Sequence, residues 1–432
     1  MPESALTPHA HDLLQAQYSN MQSCVRCAAC LPVCPTYQVS MLEQEGPRGR
    51  IAMAKALAEG NLGLTPDLIE HWDSCLVCDA CTAACPAGVR MEPIAQSLRA
   101  AVNETRGDVA VSPALKVAMK WVLPNLGVMR AVVSMSGLLQ RTGVSRLARW
   151  MGVLKVLGLE DFDALLPPVR AAALVPSGQV WEPVGPHRAT VALLAGCFMS
   201  TVFPDTDLAT ARVLAANGCR VLLPESQGCC GSVHAHRGEL EGARELARRN
   251  IEALEAVQAD AIVVNSAGCA NTMKHYTTLL AADPKYAHRA AALAARVRDF
   301  SEYLMELGTI PPTHSLSWRV TYQEPCHLAH AQRIRTAPRD LLRLIPGLEL
   351  REMQESSLCC GAGPLNNVTE PEISEELRAR KLRNAAATEA EVIVTANPGC
   401  HVQLARGLRE LGSKMRVTHI ADVLDAAYQG QH

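Results

Sequence analysis

The chain has 432 residues, of which 48% are hydrophobic and 19% charged, and these values predict a globular protein of two or three domains rather than a disordered one. The 41 Lys and Arg residues balance 43 Asp and Glu residues, so the formal net charge of −2 gives no support to nucleic-acid binding, and aromatic residues, at 4%, are too few for base stacking. The sequence has no run of about 18 apolar residues that could span a membrane, and the polar segment from Met1 to Tyr18 lacks a secretory signal pattern, so we expect a cytoplasmic protein.

The 17 cysteines fall into spaced groups. Eight lie between residues 20 and 105, none between 106 and 186, and nine between 187 and 432. A reducing cytoplasm keeps thiols from pairing, so this distribution favours metal binding over disulfide bonds.

Two cysteine runs near the start of the chain share the pattern Cys-x-x-Cys-x-x-Cys-x-x-x-Cys-Pro, beginning at Cys24 and at Cys75. This is the spacing of bacterial two-cluster ferredoxins, in which the fourth cysteine of each run binds the other cluster. The predicted ligands of one 4Fe-4S cluster are Cys24, Cys27, Cys30 and Cys85. Those of the other are Cys75, Cys78, Cys81 and Cys34. Two zinc knuckles are the alternative, since Cys-x-x-Cys also binds zinc, but the third cysteine and the closing Cys-Pro favour iron–sulfur.

The segment Glu45-Gly-Pro-Arg-Gly-Arg-Ile51 separates the two runs and leads into a predicted helix, Ala52–Glu59. Arg48 and Arg50 have two interpretations. They either lie near an anionic cluster and raise its potential, or they are solvated side chains at a Gly/Pro turn.

The segment from Val109 to Leu159 contains seven cations and no Asp or Glu. The cations are Lys116, Lys120, Arg130, Arg141, Arg146, Arg149 and Lys155. Apolar residues, including two Trp, fill the gaps at helical spacing, a pattern typical of a basic amphipathic segment on an anionic membrane or a partner surface. The alternative is a plain helical connector with solvated arginines. Leu165–Gly185, rich in Pro, is predicted to be a linker.

The remainder of the chain is an internal duplication. Cys326, Cys359 and Cys400 lie 129, 130 and 131 residues after Cys197, Cys229 and Cys269. In the first copy, strands are predicted at 191–194, 221–223 and 262–264, and helices at 207–216 and 238–256. Strands that alternate with helices predict a parallel sheet covered on both faces, with ligand sites beyond the strand ends.

Each copy brings four cysteines to such a position. The predicted metal ligands are Cys197, Cys229, Cys230 and Cys269 in the first copy, and Cys326, Cys359, Cys360 and Cys400 in the second. Four thiolates suit either an iron–sulfur cluster or zinc, and the sequence leaves both open. Cys219 alone is left over and is predicted to be a buried structural thiol.

Five histidines near these patterns have weaker signals. His327 and His401 directly follow predicted ligands, and they either take part in ligation or proton transfer or are surrounding groups. His234 and His236 follow the first Cys-Cys-Gly and carry the same two interpretations. His71 is predicted to be an ordinary histidine at a helix end.

The tandem ferredoxin runs joined to duplicated Cys-Cys-Gly domains resemble the iron–sulfur subunits of glycolate oxidase and of anaerobic glycerol-3-phosphate dehydrogenase, and the cluster subunits of heterodisulfide reductases. Several strings are most similar to the glycolate oxidase family: Glu45-Gly-Pro-Arg-Gly-Arg-Ile51, Cys85-Pro-Ala-Gly-Val89, Pro325-Cys326, His330-Ala-Gln332, Leu358-Cys-Cys-Gly361 and Thr395-Ala-Asn-Pro-Gly-Cys400. The resemblance implies an iron–sulfur subunit that serves a flavin-containing catalytic subunit and a second flavoprotein-like subunit. These oxidise glycolate to glyoxylate, and this chain passes the electrons to a membrane quinone.

One departure separates the chain from heterodisulfide reductases, whose motif continues to a closing Cys-x-x-Cys. Cys269 is followed by Ala-Asn-Thr and Cys400 by His-Val-Gln. The sequence also lacks a dinucleotide fingerprint and a nucleophile elbow, which favours an electron relay over a self-contained enzyme. The other hypotheses are a relay for glycerol-3-phosphate or lactate dehydrogenase complexes, a heterodisulfide-reductase-like reductase, and a zinc scaffold.

The predicted fold class is a multidomain α+β and α/β protein. Residues 1–105 form a helical two-cluster ferredoxin-type domain, and 106–186 form the basic helical connector and linker. Residues 187–310 and 311–432 form the two α/β repeats with parallel sheets.

Overall fold

The computed structural model describes residues 6–106, 113–153, 167 and 173–430. The predicted fold class is confirmed: a helical N-terminal unit precedes two α/β units with largely parallel sheets. The N-terminal unit contains seven helices, which are α1 (Pro8–Gln15), α2 (Tyr18–Gln22), α3 (Pro35–Ser40), α4 (Pro47–Ala58), α5 (Pro66–Asp73), α6 (Ala80–Ala84) and α7 (Met91–Arg106).

The N-terminal unit is built around α7, whose apolar side chains recur at helical spacing. Ile94 and Leu98 are fully buried and pack with Leu14 of α1 and Trp72 of α5. The predicted helix at 52–59 is the end of α4, which begins earlier because Pro47 occupies its first turn. The two cysteine runs lie in the loops between these helices.

The connector is helical where the structure describes it. It contains α8 (Pro113–Val117), a π-helical turn (Ala118–Val122), α9 (Leu126–Arg141) and α10 (Val144–Trp150). Residues 154–166, which include Lys155 of the predicted basic segment, lie outside the described residues. So do residues 168–172 of the predicted linker.

The described residues of the two repeats and of the segment before them contain nine strands: β1 (Gln179–Trp181), β2 (Ala189–Leu194), β3 (Cys219–Leu223), β4 (Ala261–Val264), β5 (Val297–Asp299), β6 (Arg319–Tyr322), β7 (Glu349–Leu350), β8 (Val392–Thr395) and β9 (Arg416–His419). The first sheet has the order β1-β3-β2-β4-β5 and the second β7-β6-β8-β9. Every pairing is parallel except that of β1 with β3. Strands β3, β2, β4 and β5 therefore correspond to β7, β6, β8 and β9, which confirms the duplication.

Helices cover both sheets. In the first repeat they are α11 (Phe198–Val202), α12 (Pro204–Ala216), α13 (Ser232–His236), α14 (Leu240–Glu255), α15 (Ala267–Lys274), α16 (Tyr276–Leu279), α17 (Ala287–Arg296) and α18 (Phe300–Leu307). In the second they are α19 (Thr336–Arg343), α20 (Asn366–Thr369), α21 (Pro371–Ala386), α22 (Pro398–Glu410) and α23 (Ile420–Gln429), with a π-helical turn at His327–Ala331.

The predicted strands and helices of the first repeat are all present. The three strands and α12 begin one to three residues earlier than predicted, and α14, predicted at 238–256, is shorter. Strand β1 was not predicted, and it lies inside the segment expected to be a linker. The domain boundaries at residues 105, 186 and 310 stay predictions.

The two repeats share one interface, and their cores are continuous across it. The Ala267 N–H donates to the Ala396 carbonyl at 3.1 Å, and Arg212 forms an ion pair with Asp425. Val191 and Leu193 of the first sheet belong to the same buried cluster as Val320 and Val394 of the second. The strand ends that carry the cysteines thus approach each other.

Candidate redox sites

The first predicted cluster site is a surface cavity, called here the outer site. Cys24, Cys27, Cys30 and Cys85 all line one surface cavity that is partly open to solvent, and Cys81, a predicted ligand of the other cluster, lines it as well. Cys27 is exposed and the other three are half-buried. The structure therefore brings the fourth cysteine of the second run to the first three of the first run, as the ferredoxin pattern predicts.

The two three-cysteine loops have the same backbone shape. Arg26 and Ala28 flank Cys27 with φ of 56° and 67°, and Val77 and Asp79 flank Cys78 with φ of 47° and 57°. Left-handed conformations at non-glycine residues are uncommon and mark a specific requirement. Such alternation turns successive backbone N–H groups towards one concave side, which favours an anionic group.

The second predicted cluster site, called here the inner site, is buried. Cys34, Cys75 and Cys78 are each less than 9% exposed, and the Cys34 Sγ lies 3.3 Å from the Thr36 Oγ1. Burial raises the pKa of Cys81, and the neighbouring Asp79, Cys75 and Cys34 raise it further. Cys34 of the first run thus lies with the cysteines of the second.

Arg48 and Arg50 lie near different sites. Arg48 lines the outer cavity and pairs with Glu43 at 2.7 Å. Arg50 is 1% exposed, so its interpretation as a solvated arginine is wrong. Its guanidinium donates to Glu45 Oε2 and Ser74 Oγ, and to Thr36 Oγ1 at 3.0 Å, because the turn folds α4 back against α5. Through Thr36, Arg50 braces the position of Cys34.

The cysteines of each repeat follow strands β2, β3 and β4, or β6, β7 and β8, as predicted. The first-repeat site consists of Cys197, Cys229, Cys230 and Cys269, and the second-repeat site of Cys326, Cys359, Cys360 and Cys400. Hydrogen bonds from Cys197 and Cys230 lower the pKa of Cys229 well below its usual range. Cys326 and Cys360 do the same to Cys359, so the two sites have matching geometry. Cys269 likewise contacts Cys230, and Cys400 contacts Cys360.

The glycine that follows each cysteine pair lets the loop pass close to a neighbouring helix. Gly231 and Gly361 have φ of 85° and 87°. A Cβ on Gly361 would meet the Ser374 carbonyl of α21 at 2.4 Å, and one on Gly231 would meet the Ala243 carbonyl of α14 at 3.2 Å. Glycine is therefore required for the approach to a helix.

One position of each repeat fixes the cysteine loop from the adjacent helix. In α14, the Asn250 side chain donates to the Cys229 carbonyl at 2.8 Å and accepts from the Gly228 N–H at 2.9 Å. Lys381 of α21, 131 residues later, donates instead to the carbonyls of Glu355, at 2.6 Å, and Ser356. Burial lowers the pKa of Lys381. Sequence reasoning missed both residues, although the constant offset of the repeats pairs them.

The histidines hold the units together. His234 Nε2 lies 2.8 Å from the Met119 carbonyl. Burial by itself would lower the pKa of His234, but the neighbouring Cys229 outweighs burial and the pKa is raised. His236 pairs with Glu92 of α7 at 3.0 Å. His327 Nε2 lies 2.8 Å from the Val77 carbonyl. His234 also contacts the thiol of the predicted ligand Cys229. The described contacts of His236 and His327 are with the backbone, a carboxylate, a hydroxyl or a neighbouring ring, so these two surround the sites.

The other histidines and the remaining cysteine fit simpler roles. The His401 ring packs 4.6 Å from the Phe203 ring, and burial lowers the pKa of His401 to about 4. His71 lies near the end of α5, as predicted, and pairs with Glu45 at 2.6 Å. Cys219 begins β3 and is fully buried, which confirms its predicted burial.

The inner site lies directly against the second-repeat site. Leu76 and Cys78 share a buried cluster with Cys359 and Leu377, and Cys326 packs against it. Burial raises the pKa of Cys78, and negative charge on Cys359 raises it further. Asn366 of α20 donates to the Asp73 carbonyl at 3.0 Å, which holds the loop before the inner site in place.

The two repeat sites meet through Asn397. Its Oδ1 accepts from the Gly268 N–H at 3.1 Å, next to Cys269, and its Nδ2 lies 3.6 Å from the Cys400 Sγ. The sequence pattern alone does not indicate this role for Asn397. The first repeat also contacts α7, where Glu92 accepts from His236 and from Asn271.

The donor sets fit iron–sulfur clusters. The outer site offers its four predicted thiols around a cavity, three of them from the first loop and the fourth, Cys85, from the second run, and the loops carry the concave backbone described above. Within the described residues, no three His, Cys, Asp or Glu side chains lie close enough to hold a single metal ion. A 4Fe-4S cluster, when bound, supplies reversible one-electron transfer.

Two protein-family models match the chain. Residues 20–89 match a "4Fe-4S dicluster domain", and residues 191–274 and 320–405 each match a "Cysteine-rich domain". Together with the fold, these matches define the chain as an iron–sulfur electron-transfer protein with a ferredoxin-type domain and two cysteine-rich repeats.

Curated relatives specify the family. The chain is 37% identical over 93% of both chains to a "Probable glycolate oxidase iron-sulfur subunit" of Bacillus subtilis strain 168. It is 32% identical over 95% of both chains to the "Glycolate oxidase iron-sulfur subunit" of Escherichia coli strain K12. "Lactate utilization protein A" of Geobacillus kaustophilus is 31% identical over 55% of this chain and 98% of its own. The chain belongs to the family of glycolate oxidase iron–sulfur subunits.

Across the described residues, no helix combines the length and the apolar character that crossing a membrane requires.

Proposed function

We propose that this chain is the electron relay of a complex that oxidises glycolate to glyoxylate, with the substrate and flavin on partner subunits and a membrane quinone as the acceptor. Oxidation of glycolate releases two electrons and two protons, and the partner flavin is the group that accepts them as a pair. The two full-length relatives, both glycolate oxidase subunits by name, support this substrate. The lactate utilization relatives match only about half of this chain and fit less well.

The proposed ligands are those of the sequence analysis. The outer site comprises Cys24, Cys27, Cys30 and Cys85, the inner site Cys34, Cys75, Cys78 and Cys81, and the eight repeat cysteines hold further iron–sulfur clusters or zinc. The observation that carries the relay is the contrast between the two N-terminal sites. The outer site opens to the surface, whereas Cys78 of the inner site packs against Cys359 of the second repeat.

The surface at the outer site suits a partner that delivers electrons. Val25, which lines the outer cavity directly after Cys24, is 70% exposed. Met41 and Leu42, which directly precede the Glu43 partner of Arg48, are 68% and 48% exposed. Exposed apolar side chains next to a redox site favour protein contact. We propose that the flavin-containing subunit docks here.

The test uses the assembled complex with Cys78→Ser, and Cys219→Ser as the control at a buried cysteine outside the sites. With glycolate under anaerobic conditions, we expect the Cys78→Ser complex to reduce its flavin but not a water-soluble dye, whereas Cys219→Ser reduces both. Dye reduction at the wild-type rate in Cys78→Ser would refute the relay. If the complex oxidised L-lactate in preference to glycolate, the proposal that glycolate is its substrate would be refuted.

We further propose that the connector rests on an anionic membrane surface. Twelve of the 21 large exposed hydrophobic side chains of the described residues lie between Val117 and Val153, and Trp150 is 84% exposed. On α9, Met129 and Val133 face the protein, whereas Val132 and Met135 face outwards. Residues 113–153 contain cations and no acidic residue, which complements anionic headgroups.

Vesicle sedimentation tests this location. We expect the protein to bind vesicles of phosphatidylglycerol and phosphatidylcholine, and Lys120→Glu/Arg146→Glu to bind at least about tenfold more weakly, since each cation near the surface contributes about 1 kcal/mol. Lys285→Glu/Lys414→Glu makes the same charge change on other surfaces and should bind as the wild type does. Equal binding by both variants would contradict the proposal.

A further inference from the structure

A groove connects the exposed connector to the first-repeat site. It lies between the start of α9 and the loop Gln227-Gly-Cys229 and is partly open to solvent. Trp121, Pro124 and Val128 form the connector side, and Arg249 of α14 donates to the Pro124 carbonyl at 3.3 Å across it. Cys229, which is 3% exposed, lies at the inner end of the groove.

Within the described residues, the groove has one buried hydrogen-bond donor that lacks a partner. The Arg130 Nε is buried and has no hydrogen-bond partner, a costly state for a charged donor. Lys120 lies 5.5 Å from the centre of the Trp121 ring and also lines the groove. Cationic donors beside an aromatic ring suit a flat ligand that carries carbonyl oxygens and gains negative charge.

The inner end has free space next to the cysteine pair. A Cβ built on Gly228 meets no atom within 4 Å, and Gly228 does not have a positive φ. Its backbone N–H is already bound by Asn250, so the residue is fixed in place. A ligand can therefore approach Cys229 from the groove without a change in the fold.

We propose that this groove binds the headgroup of a lipid-soluble quinone. The proposal rests on the proposed function, which supplies the electrons. The groove begins among the exposed apolar side chains of the connector, so a quinone with an isoprenoid tail can enter while its tail stays among them. Reduction to the quinol takes two electrons, which the relay supplies one at a time, and two protons, which solvent supplies at the open side.

Binding of decylubiquinone to the oxidised, cluster-loaded protein in detergent tests the site, with isothermal titration calorimetry as the readout. We expect one molecule per chain, and a loss of affinity of about tenfold or more in Gly228→Leu, equivalent to about 1.4 kcal/mol. Ala282→Leu adds the same side chain at an exposed site away from the groove and should bind as the wild type does. Iron and sulfide content verifies that each variant carries its clusters.

Two further variants control for the possibility that Gly228→Leu weakens binding only by displacing the adjacent Cys229. Arg130→Gln and Trp121→Ala change the opposite wall, and we expect each to weaken binding about fivefold. The proposal would be overturned if decylubiquinone did not bind to the wild type, or if all three groove variants bound it as tightly as the wild type does. Reduction of a water-soluble dye by glycolate in the wild-type complex reports the relay alone, so failure of the groove and failure of the relay give different results.

Discussion

Two buried cysteines differ in what surrounds them. Cys78 lies between Cys81, Cys34 and Cys359, whereas Cys219 contacts Tyr303 in the core of the first sheet. Burial raises the pKa of both. A thiol surrounded by other thiols is suited to hold a cluster, and an isolated one only fills space.

Cys78→Ser should therefore lower the iron content, and Cys219→Ser should not. We expect the wild type to carry at least about eight iron and eight sulfide per chain, and Cys78→Ser to lose about four of each, since each cubane holds four iron. Iron, acid-labile sulfide and zinc analysis of anaerobically purified protein measures this. An unchanged count in Cys78→Ser would contradict the inner-site assignment.

Glu92 is a buried carboxylate that ties the N-terminal unit to the first repeat. Burial by itself would raise its pKa, but the hydrogen bond with His236 and the nearby histidine charges lower the pKa of Glu92 well below its usual range. A carboxylate with a depressed pKa stabilises the fold at pH values above its unfolded pKa, near 4.5, and this stabilisation is lost as the pH falls towards the folded pKa.

Glu92→Gln should reduce the free energy of unfolding by about 3 kcal/mol at pH 7, because it leaves a buried polar network without its charge. The difference in the free energy of unfolding between Glu92→Gln and the wild type should shrink as the pH is lowered below about 4.5. Denaturant unfolding at several pH values measures both. Glu245→Gln, at an exposed site, should change stability by less than about 0.5 kcal/mol. If this difference stayed constant with pH, the depressed pKa of Glu92 in the folded protein would be refuted.

Single residues limit what sequence alone can predict. The cysteine ligands follow from spacing, because their chemistry forces a pattern. Arg50 and Glu92 look like ordinary surface residues in the sequence, and only the packing of α4 on α5 and of α7 on the first repeat buries them. The ligand assignments themselves stay predictions.

The paired elements of the two repeats provide an internal comparison. Gly231 and Gly361 end the cysteine loops with the same left-handed backbone, but a Cβ has more room at Gly231. The left-handed conformation alone costs an L-residue about 1–2 kcal/mol.

Gly361→Ala should consequently destabilise the protein more than Gly231→Ala does. Gly412→Ala, where φ is +62° and no atom lies within 4 Å, is the control for conformational strain without a clash. We expect Gly412→Ala to lower the midpoint of thermal unfolding least, Gly231→Ala by somewhat more, because its Cβ meets the Ala243 carbonyl at 3.2 Å, and Gly361→Ala by clearly the most. An equal loss at Gly231 and Gly361 would contradict the close approach to α21.

At the level of elements, the strands that hold the sites were predictable because buried parallel strands are continuous apolar runs. Strand β1 has only three residues and lies beside Pro and Gly residues, so it has no such signal. The helical nature of α9 was predictable, but which of its two apolar sides faces the protein was not. Only Val202 and the neighbouring core of the first repeat decide that Met129 and Val133 turn inwards.

In the whole molecule, the N-terminal unit contacts the two repeats in different ways. The inner-site loop contacts the second repeat through His327 and Asn366, and α7 contacts the first repeat through Glu92. A duplicated sequence carries no sign of this asymmetry, since each copy has the same cysteine pattern. The order of the sites, from the surface through the inner site to the second repeat, therefore had to come from the structure.

The most direct test of the relay is to add glycolate to the assembled wild-type complex under anaerobic conditions while following the visible absorbance of flavin and iron–sulfur groups together. We predict that both are bleached, the flavin first, and that decylubiquinone restores both. Flavin that bleaches while the iron–sulfur absorbance of this chain stays oxidised would contradict the central claim.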